Sequence, residues 1–172
     1  MPDRDYYSEI LGEEKHDLGS FSCGVPELDR YLRERAAHDH RRRVAVPHVL
    51  VESATGRIIG YYTLSMRSVG RDSFPRSIAR KLGYRQIPVA IIGRLGVRED
   101  LHGQGWGVRL LANAFTRIAL VAEDVAAFAV IVEVLDENAH SFYEHLGFRP
   151  MADNPRALFI PLDSVMNPPE PR

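Results

Sequence analysis

A single cysteine, Cys23, stands in 172 residues, so one chain forms no disulfide and no cysteine cluster to hold zinc. That usage fits a reducing cytoplasm. No apolar run reaches the roughly 18 residues that a membrane-spanning helix needs. The opening, Met1-Pro2-Asp3-Arg4-Asp5, lacks the apolar stretch of a signal peptide. Internal repeats are absent. Lysine is scarce, with only Lys15 and Lys81, so arginine carries the basic character. The formal net charge is −1, and bulk charge therefore predicts no polyanion partner.

The distribution of charge says more. From Arg30 to Arg43, six arginines stand against Glu34 and Asp39. From Leu64 to Gln86, Arg67, Arg71, Arg76, Arg80, Lys81 and Arg85 stand against Asp72. Such segregation makes a basic face on a neutral protein, or merely solvated helix faces in an arginine-biased chain. Residues 1–166 are long enough for one domain with a core. The proline-rich end, Asn167-Pro168-Pro169-Glu170-Pro171-Arg172, is expected to be a loose tail.

The pattern alternates between strand and helix. A strand is expected near Ser8 to Leu11, and a helix from Pro26 to about His38. A second basic helical turn covers Asp39 to Arg43. Val46 to Glu52 and Arg57 to Met66 form a hairpin joined at Ala54-Thr55-Gly56. A short helix covers Pro75 to Leu82, and Val89 to Val97 is the central strand. A long helix follows from Gly105 to Ala122, then a strand within Ala127 to Leu135. A short helix, Asn138 to Leu146, ends at Gly147, and a last strand lies near Ala157 to Leu162. This alternation implies a mixed sheet with helices on its faces.

The densest signal is His102-Gly103-Gln104-Gly105-Trp106-Gly107, between the central strand and the long helix. Glycines allow tight turning and close backbone approach. A helix start adds unpaired N–H groups and partial positive charge. Together they suit a phosphate. The spacing is not that of a dinucleotide fold, because Val108 stands where G-x-G-x-x-G needs its third glycine. No Gly-Lys-Ser/Thr follows, which excludes a P-loop. The pattern Gln/Arg-x-x-Gly-x-Gly instead resembles the coenzyme A pyrophosphate loop of the GCN5-related N-acetyltransferase (GNAT) family, with His102 departing from the usual first residue. About 30 residues on, Asn138-Ala139-His140-Ser141-Phe142-Tyr143-Glu144-His145-Leu146-Gly147-Phe148 resembles that family's second motif, Asn-x-x-x-x-Phe-Tyr-x-x-x-Gly-Phe.

The resemblance implies the GNAT fold, an α/β architecture with a single mixed, mostly antiparallel central sheet. It implies acetyl-CoA as the donor. Pantetheine would pair with the backbone of Leu95 and Val97, and pyrophosphate would sit on the N–H groups of His102, Gly103, Gln104, Gly105, Trp106 and Gly107. Asn138 matches a position that hydrogen-bonds the cofactor. Tyr143 matches the general acid that protonates the leaving sulfur. A phenol near pKa 10 stays protonated at neutral pH beside a thiol near 8.5. No general base announces itself, and Glu52, His48, Glu133 and His140 stay open. His38, His40 and His48 form no metal-ligand spacing, so no metal is expected. Cys23 is read as structural, because direct transfer needs no nucleophile.

The opening Phe21-Ser22-Cys23-Gly24-Val25-Pro26-Glu27-Leu28-Asp29-Arg30-Tyr31-Leu32 resembles the F-x-C-G-x-x-x-L-D-x-(W/Y)-L start of the acetyltransferase toxins of bacterial toxin–antitoxin pairs. Gly60 to Leu64, and Ile87-Pro88-Val89 through Gly93-Arg94-Leu95, are similar to that group too. The resemblance implies acetylation of the α-amine of aminoacyl-tRNA, a block of translation, and a small DNA-binding antitoxin of ribbon-helix-helix type. A homodimer is compatible with it. Arg41, Arg42, Arg43, Arg76, Arg80, Lys81, Arg85 and Arg94 are the candidates for tRNA phosphates. An α-amine of pKa about 7.7–8.0 is roughly 10–20% neutral at pH 7, whereas a lysine amine is about 0.04% neutral. The missing base therefore favours an α-amine modestly. An acetyltransferase acting on a small amine or a protein N-terminus, and a non-catalytic acyl-CoA-binding module, remain open alternatives.

Overall fold

The turn at Ala54-Thr55-Gly56 shows how local chemistry sets the sheet. Gly56 adopts φ 71°, a left-handed value that glycine takes without a Cβ penalty. It closes the antiparallel hairpin of β2 (Val46–Glu52) and β3 (Ile58–Gly70). In the computed structural model, which describes residues 5–168, β1 (Tyr6–Ile10) pairs with β2 on its other side. The first four residues, and residues 169–172 of the expected loose tail, lie outside the described residues.

The remaining strands are β4 (Gln86–Val97), β5 (Ala129–Glu133), β6 (Arg149–Pro150) and β7 (Ala157–Pro161). Hydrogen-bonded neighbours run β1-β2-β3-β4-β5-β7-β6 in a seven-stranded sheet. β4 and β5 are parallel, while β1–β2, β2–β3, β5–β7 and β6–β7 are antiparallel. The helices are α1 (Pro26–Glu34), α2 (Ala36–Arg41), α3 (Arg76–Ala79), α4 (Trp106–Ala122), α5 (Glu137–His145) and α6 (Leu162–Met166). A parallel pair needs a crossover, and α4 lies on the connection from β4 to β5. The expected mostly antiparallel α/β architecture is what the chain adopts. Among the described residues no helix is long and apolar enough to cross a membrane.

The chain forms two compact units. The first holds the residues up to Ser65 and Gly93–Ala114. Its core joins Phe21, Leu28, Tyr31 and Leu32 to Val49, Val51, Ile58 and Tyr61. Leu28, Tyr31 and Leu32 fall at i, i+3 and i+4, so α1 turns one stripe inward. Each fully buried leucine contributes about 1.5–3 kcal/mol. The Tyr61 hydroxyl donates to the Leu28 carbonyl at 2.7 Å, so this buried phenol is satisfied.

The helix expected over Pro26 to His38 is in fact two. Arg35 leaves helical geometry at φ −123°, ψ −33°, and α2 restarts at Ala36. The break lets Ala36 reach full burial and brings the Asp39 carboxylate within 2.9 Å of the Tyr31 hydroxyl, which donates to it. Tertiary contacts outweigh helix propensity here. The basic turn expected at Asp39 to Arg43 is the end of α2 and the residues after it. There Arg43 takes a positive φ of 57°.

The second unit holds Met66–Ile92 and the residues from Phe115 on. Val89 and Ile91 of β4 are buried with Ala129 and Ile131 of β5 on one face, and Ala90, Ile92, Val130 and Val132 are buried on the other, as parallel strands covered on both faces require. Phe74 meets Phe128 and Phe159 edge-on at 5.4 and 5.1 Å. β4 begins at Gln86 rather than Val89, and α3 is shorter than Pro75 to Leu82. β6 and α6 were not foreseen; two and five residues are too short for a periodic signal.

Gly60 is the tightest point of the first unit. A Cβ there would lie 2.6 Å from Leu110 Cδ1 and 2.7 Å from the Gly96 carbonyl oxygen. The leucine methyl is the far end of a flexible side chain, but the backbone carbonyl does not move cheaply. Gly60→Ala is therefore expected to destabilise the fold by about 1–3 kcal/mol in urea titrations. An unchanged midpoint would contradict this packing.

Candidate functional site

The glycine loop is braced before any ligand arrives. Arg98, only 5% exposed at the end of β4, sends Nε to Asp100 Oδ1 at 2.6 Å. Its guanidinium holds the Asp100 carboxyl below the usual carboxylate range. The Arg98 backbone N–H donates to the Ile59 carbonyl at 2.8 Å. A short 3₁₀ turn, Glu99–Leu101, follows. Gln104 Nε2 donates to the Asp100 carbonyl at 3.3 Å. Gly103 and Gly105 take φ 73° and 82°, and a Cβ at either would meet nothing within 4 Å. The glycines are thus demanded by backbone conformation, and the space beside them is open to a ligand.

The Arg109 N–H bonds the Gly105 carbonyl at 3.2 Å, opening the helical ladder of α4. The N–H groups of Trp106, Gly107 and Val108 precede that bond and have no partner within the helix. Trp106 itself is 4% exposed, edge-on to Tyr6 at 5.2 Å and with the Arg109 guanidinium 4.8 Å from its ring centroid. Its ring anchors the first turn of α4. His102 is tied down within the chain. Its N–H donates to the Glu99 carbonyl at 3.2 Å, and its ring Nε2 lies 2.8 Å from the Val97 carbonyl. Both donors of His102 are engaged inside the chain. The Val97 carbonyl carries this ring on one of its two lone pairs.

In the second unit, α5 is closed at both ends. Asp136 caps it by accepting from the Ala139 N–H at 2.8 Å. Gly147, at φ 95°, sits just past the end. The Gly147 N–H bonds the Glu144 carbonyl at 3.0 Å, and the Phe148 N–H bonds the Tyr143 carbonyl at 3.1 Å. This is a Schellman end, and it folds Phe148 back onto Tyr143. Tyr143 is 7% exposed, edge-on to Phe142 at 5.1 Å and Phe148 at 5.2 Å. Burial alone pushes its phenol well above the ordinary value. Asn138 lies exposed in the first turn of α5.

No base candidate is singled out. Glu52 is buried and accepts a short hydrogen bond from the Thr55 hydroxyl. His48 stacks on Tyr62 at 5.2 Å. Exposed Glu133 lies 3.8 Å from Arg67, and His140 Nδ1 lies 3.3 Å from Glu144.

The cations are presented differently. Arg41, Arg42 and Arg43 are exposed in the first unit, and Arg41 pairs with Glu13 at 2.7 Å. Arg76, Arg80, Lys81 and Arg85 are exposed in the second. Arg94 is half-buried, its guanidinium 3.6 Å from the centroid of the Tyr31 ring.

The opening motif is structural at its centre. The Asp29 carboxylate accepts from the Cys23 N–H at 2.9 Å, and the Glu99 N–H bonds the Ser22 carbonyl at 2.8 Å. The motif therefore packs against the start of the glycine loop. Desolvation, reinforced by Asp29, pushes the Cys23 thiol up to about 12. It holds its proton through neutral and mildly alkaline pH. Cys23 should resist a thiolate reagent at pH 8 in the native protein and react on unfolding. Fast native labelling would contradict the burial. Arg98, Asp29 and Asp136 were not foreseen as supports. Only Asp136 carried a readable signal, as a capping residue before a helix.

A family model described as an acetyltransferase (GNAT) domain matches residues 45–150, which include both the glycine loop and Tyr143. The tRNA-acetylating toxin of Mycobacterium tuberculosis (strain ATCC 25618 / H37Rv) is 33% identical over 144 residues, 84% of this chain and 85% of that protein. The structure of AtaT complexed with acetyl-methionyl-tRNAfMet is 34% identical and covers 94% of this chain and 98% of that one, with a TM-score of 0.87. A variant of AtaT bound to the C-terminus of the antitoxin AtaR and acetyl-CoA is 30% identical and covers 95% of this chain and 99% of that one, with a TM-score of 0.80. With both motifs inside the matched domain, the chain belongs to the GCN5-related N-acetyltransferase family.

Proposed function

We propose that this protein is an acetyl-CoA-dependent toxin that acetylates the α-amine of aminoacyl-tRNA and so blocks translation. The observation that carries this reading is similarity along nearly the whole chain to AtaT, a toxin seen with acetyl-methionyl-tRNAfMet. The folded opening motif against the glycine loop supports it, because it is the part of the sequence that resembles the toxin subgroup.

The residues present fit acetyl-CoA. The left-handed glycines and the open space beside them suit a pyrophosphate on the N–H groups from Gly103 to Gly107. Leu95 and Val97 offer strand backbone to pantetheine, and Asn138 offers an amide. The bound thioester supplies the acetyl group. Tyr143 holds its proton at Oη and gives it to the leaving sulfur. The acceptor α-amine arrives partly neutral, so no dedicated base is required. Arg41, Arg42, Arg43, Arg76, Arg80, Lys81, Arg85 and Arg94 bind tRNA phosphates. An antitoxin of ribbon-helix-helix type masks the toxin, and the protein acts in the cytoplasm; a homodimer is compatible with this reading.

Induced expression tests the biological claim. The wild-type chain arrests growth and protein synthesis, and Tyr143→Phe at equal abundance relieves the arrest. Growth unaffected by the wild-type chain would point to a small amine or a protein N-terminus as acceptor.

A further inference from the structure

We infer that His102 is a positioning residue for the acetyl-CoA loop, a latch rather than a ligand for the pyrophosphate. The inference rests on assigning residues 103–107 to that pyrophosphate. Nothing about His102 in the motif distinguishes a side chain that touches the ligand from one that shapes the loop. The geometry does. The ring nitrogen Nε2 sits 2.8 Å from the Val97 carbonyl oxygen, and the backbone N–H is already given to Glu99. A carbonyl accepts only, so Nε2 carries the proton. The bond ties the start of the loop to the last residue of β4, five positions back.

Three ties then hold the turn. Arg98 to Asp100 fixes its entry, His102 to Val97 fixes the start of the glycine loop, and Gln104 to Asp100 fixes the approach to Gly105. The left-handed glycines between and beside these ties are where the backbone has the most conformational freedom to lose. A loop held in its binding shape loses less freedom when the ligand arrives. The latch therefore acts on affinity for the donor and not on the chemical step.

Two readouts test it. In the ligand-free protein, ¹⁵N NMR of the imidazole should show His102 with the proton on Nε2. In kinetics, His102→Ala should raise KM for acetyl-CoA about three- to tenfold, the worth of one hydrogen bond, with kcat within about twofold. His102→Gln places an amide N–H at similar reach and should restore most of the loss. His102→Asn is too short and should not. A proton on Nδ1, or an unchanged KM in His102→Ala, overturns the latch. Gly105→Val separates the two levels, since it strains a left-handed position and fills the cradle. A raised KM there with none in His102→Ala removes only the latch. An unchanged KM in both removes the loop's assignment as well.

Discussion

Tyr143→Phe is expected to lower kcat for acetyl transfer by about 10²–10⁴-fold, the usual worth of a positioned acid. Dissociation of acetyl-CoA should change by less than about twofold. The split follows from the packing. The ring of Tyr143 is held by Phe142 and Phe148 and by the Schellman end at Gly147, and a phenylalanine ring keeps all of these contacts. Only the hydroxyl goes. Burial raises the phenol above its ordinary pKa, so the proton it must donate is present at every ordinary assay pH. The sign for the rate follows. The acceptor amine must lose a proton, so kcat/KM rises with pH toward about 8 and levels off. It should show no falling limb from Tyr143 below about pH 10, the unperturbed tyrosine value. A falling limb near pH 8–9, or full turnover in Tyr143→Phe, would assign the acid elsewhere.

The second large effect is expected from neutralising Arg41, Arg42 and Arg43 together as glutamines. All three are exposed at and after the end of α2. Each phosphate they neutralise contributes about 0.7–0.9 to the slope of log affinity against log salt. Arg41 is already paired with Glu13, so its share is smaller. The triple variant should flatten the salt slope for charged tRNA by about 2 and raise its KM at least tenfold at low salt. KM for acetyl-CoA should stay unchanged. An unaltered slope would return these arginines to an ordinary solvated helix end.

What could be read in advance was whatever the backbone makes compulsory. Gly103 and Gly105 are left-handed, and Gly147 ends a helix at φ 95°, so residue type and spacing announce both motifs. The hairpin at Gly56 was legible for the same reason. The break at Arg35 was not, because neither glycine nor proline stands there. The burial of Ala36 and the reach of Asp39 to Tyr31, eight positions back, decide it, and neither leaves a periodic or breaker signal in the sequence. The ring of His102 was equally silent, since its partner is a backbone oxygen that any residue at 97 would offer. Arg98 looked like one more arginine in a basic chain until its guanidinium was found buried against Asp100 and the Ile58 carbonyl.

The central claim is the acceptor. The most direct measurement is transfer of label from acetyl-CoA to a pool of charged tRNA, beside uncharged tRNA and a panel of free amines. Label on charged tRNA alone, lost in Tyr143→Phe, is the predicted result. Label on free amines with none on charged tRNA would contradict the toxin reading while leaving the acetyltransferase fold and its donor site intact.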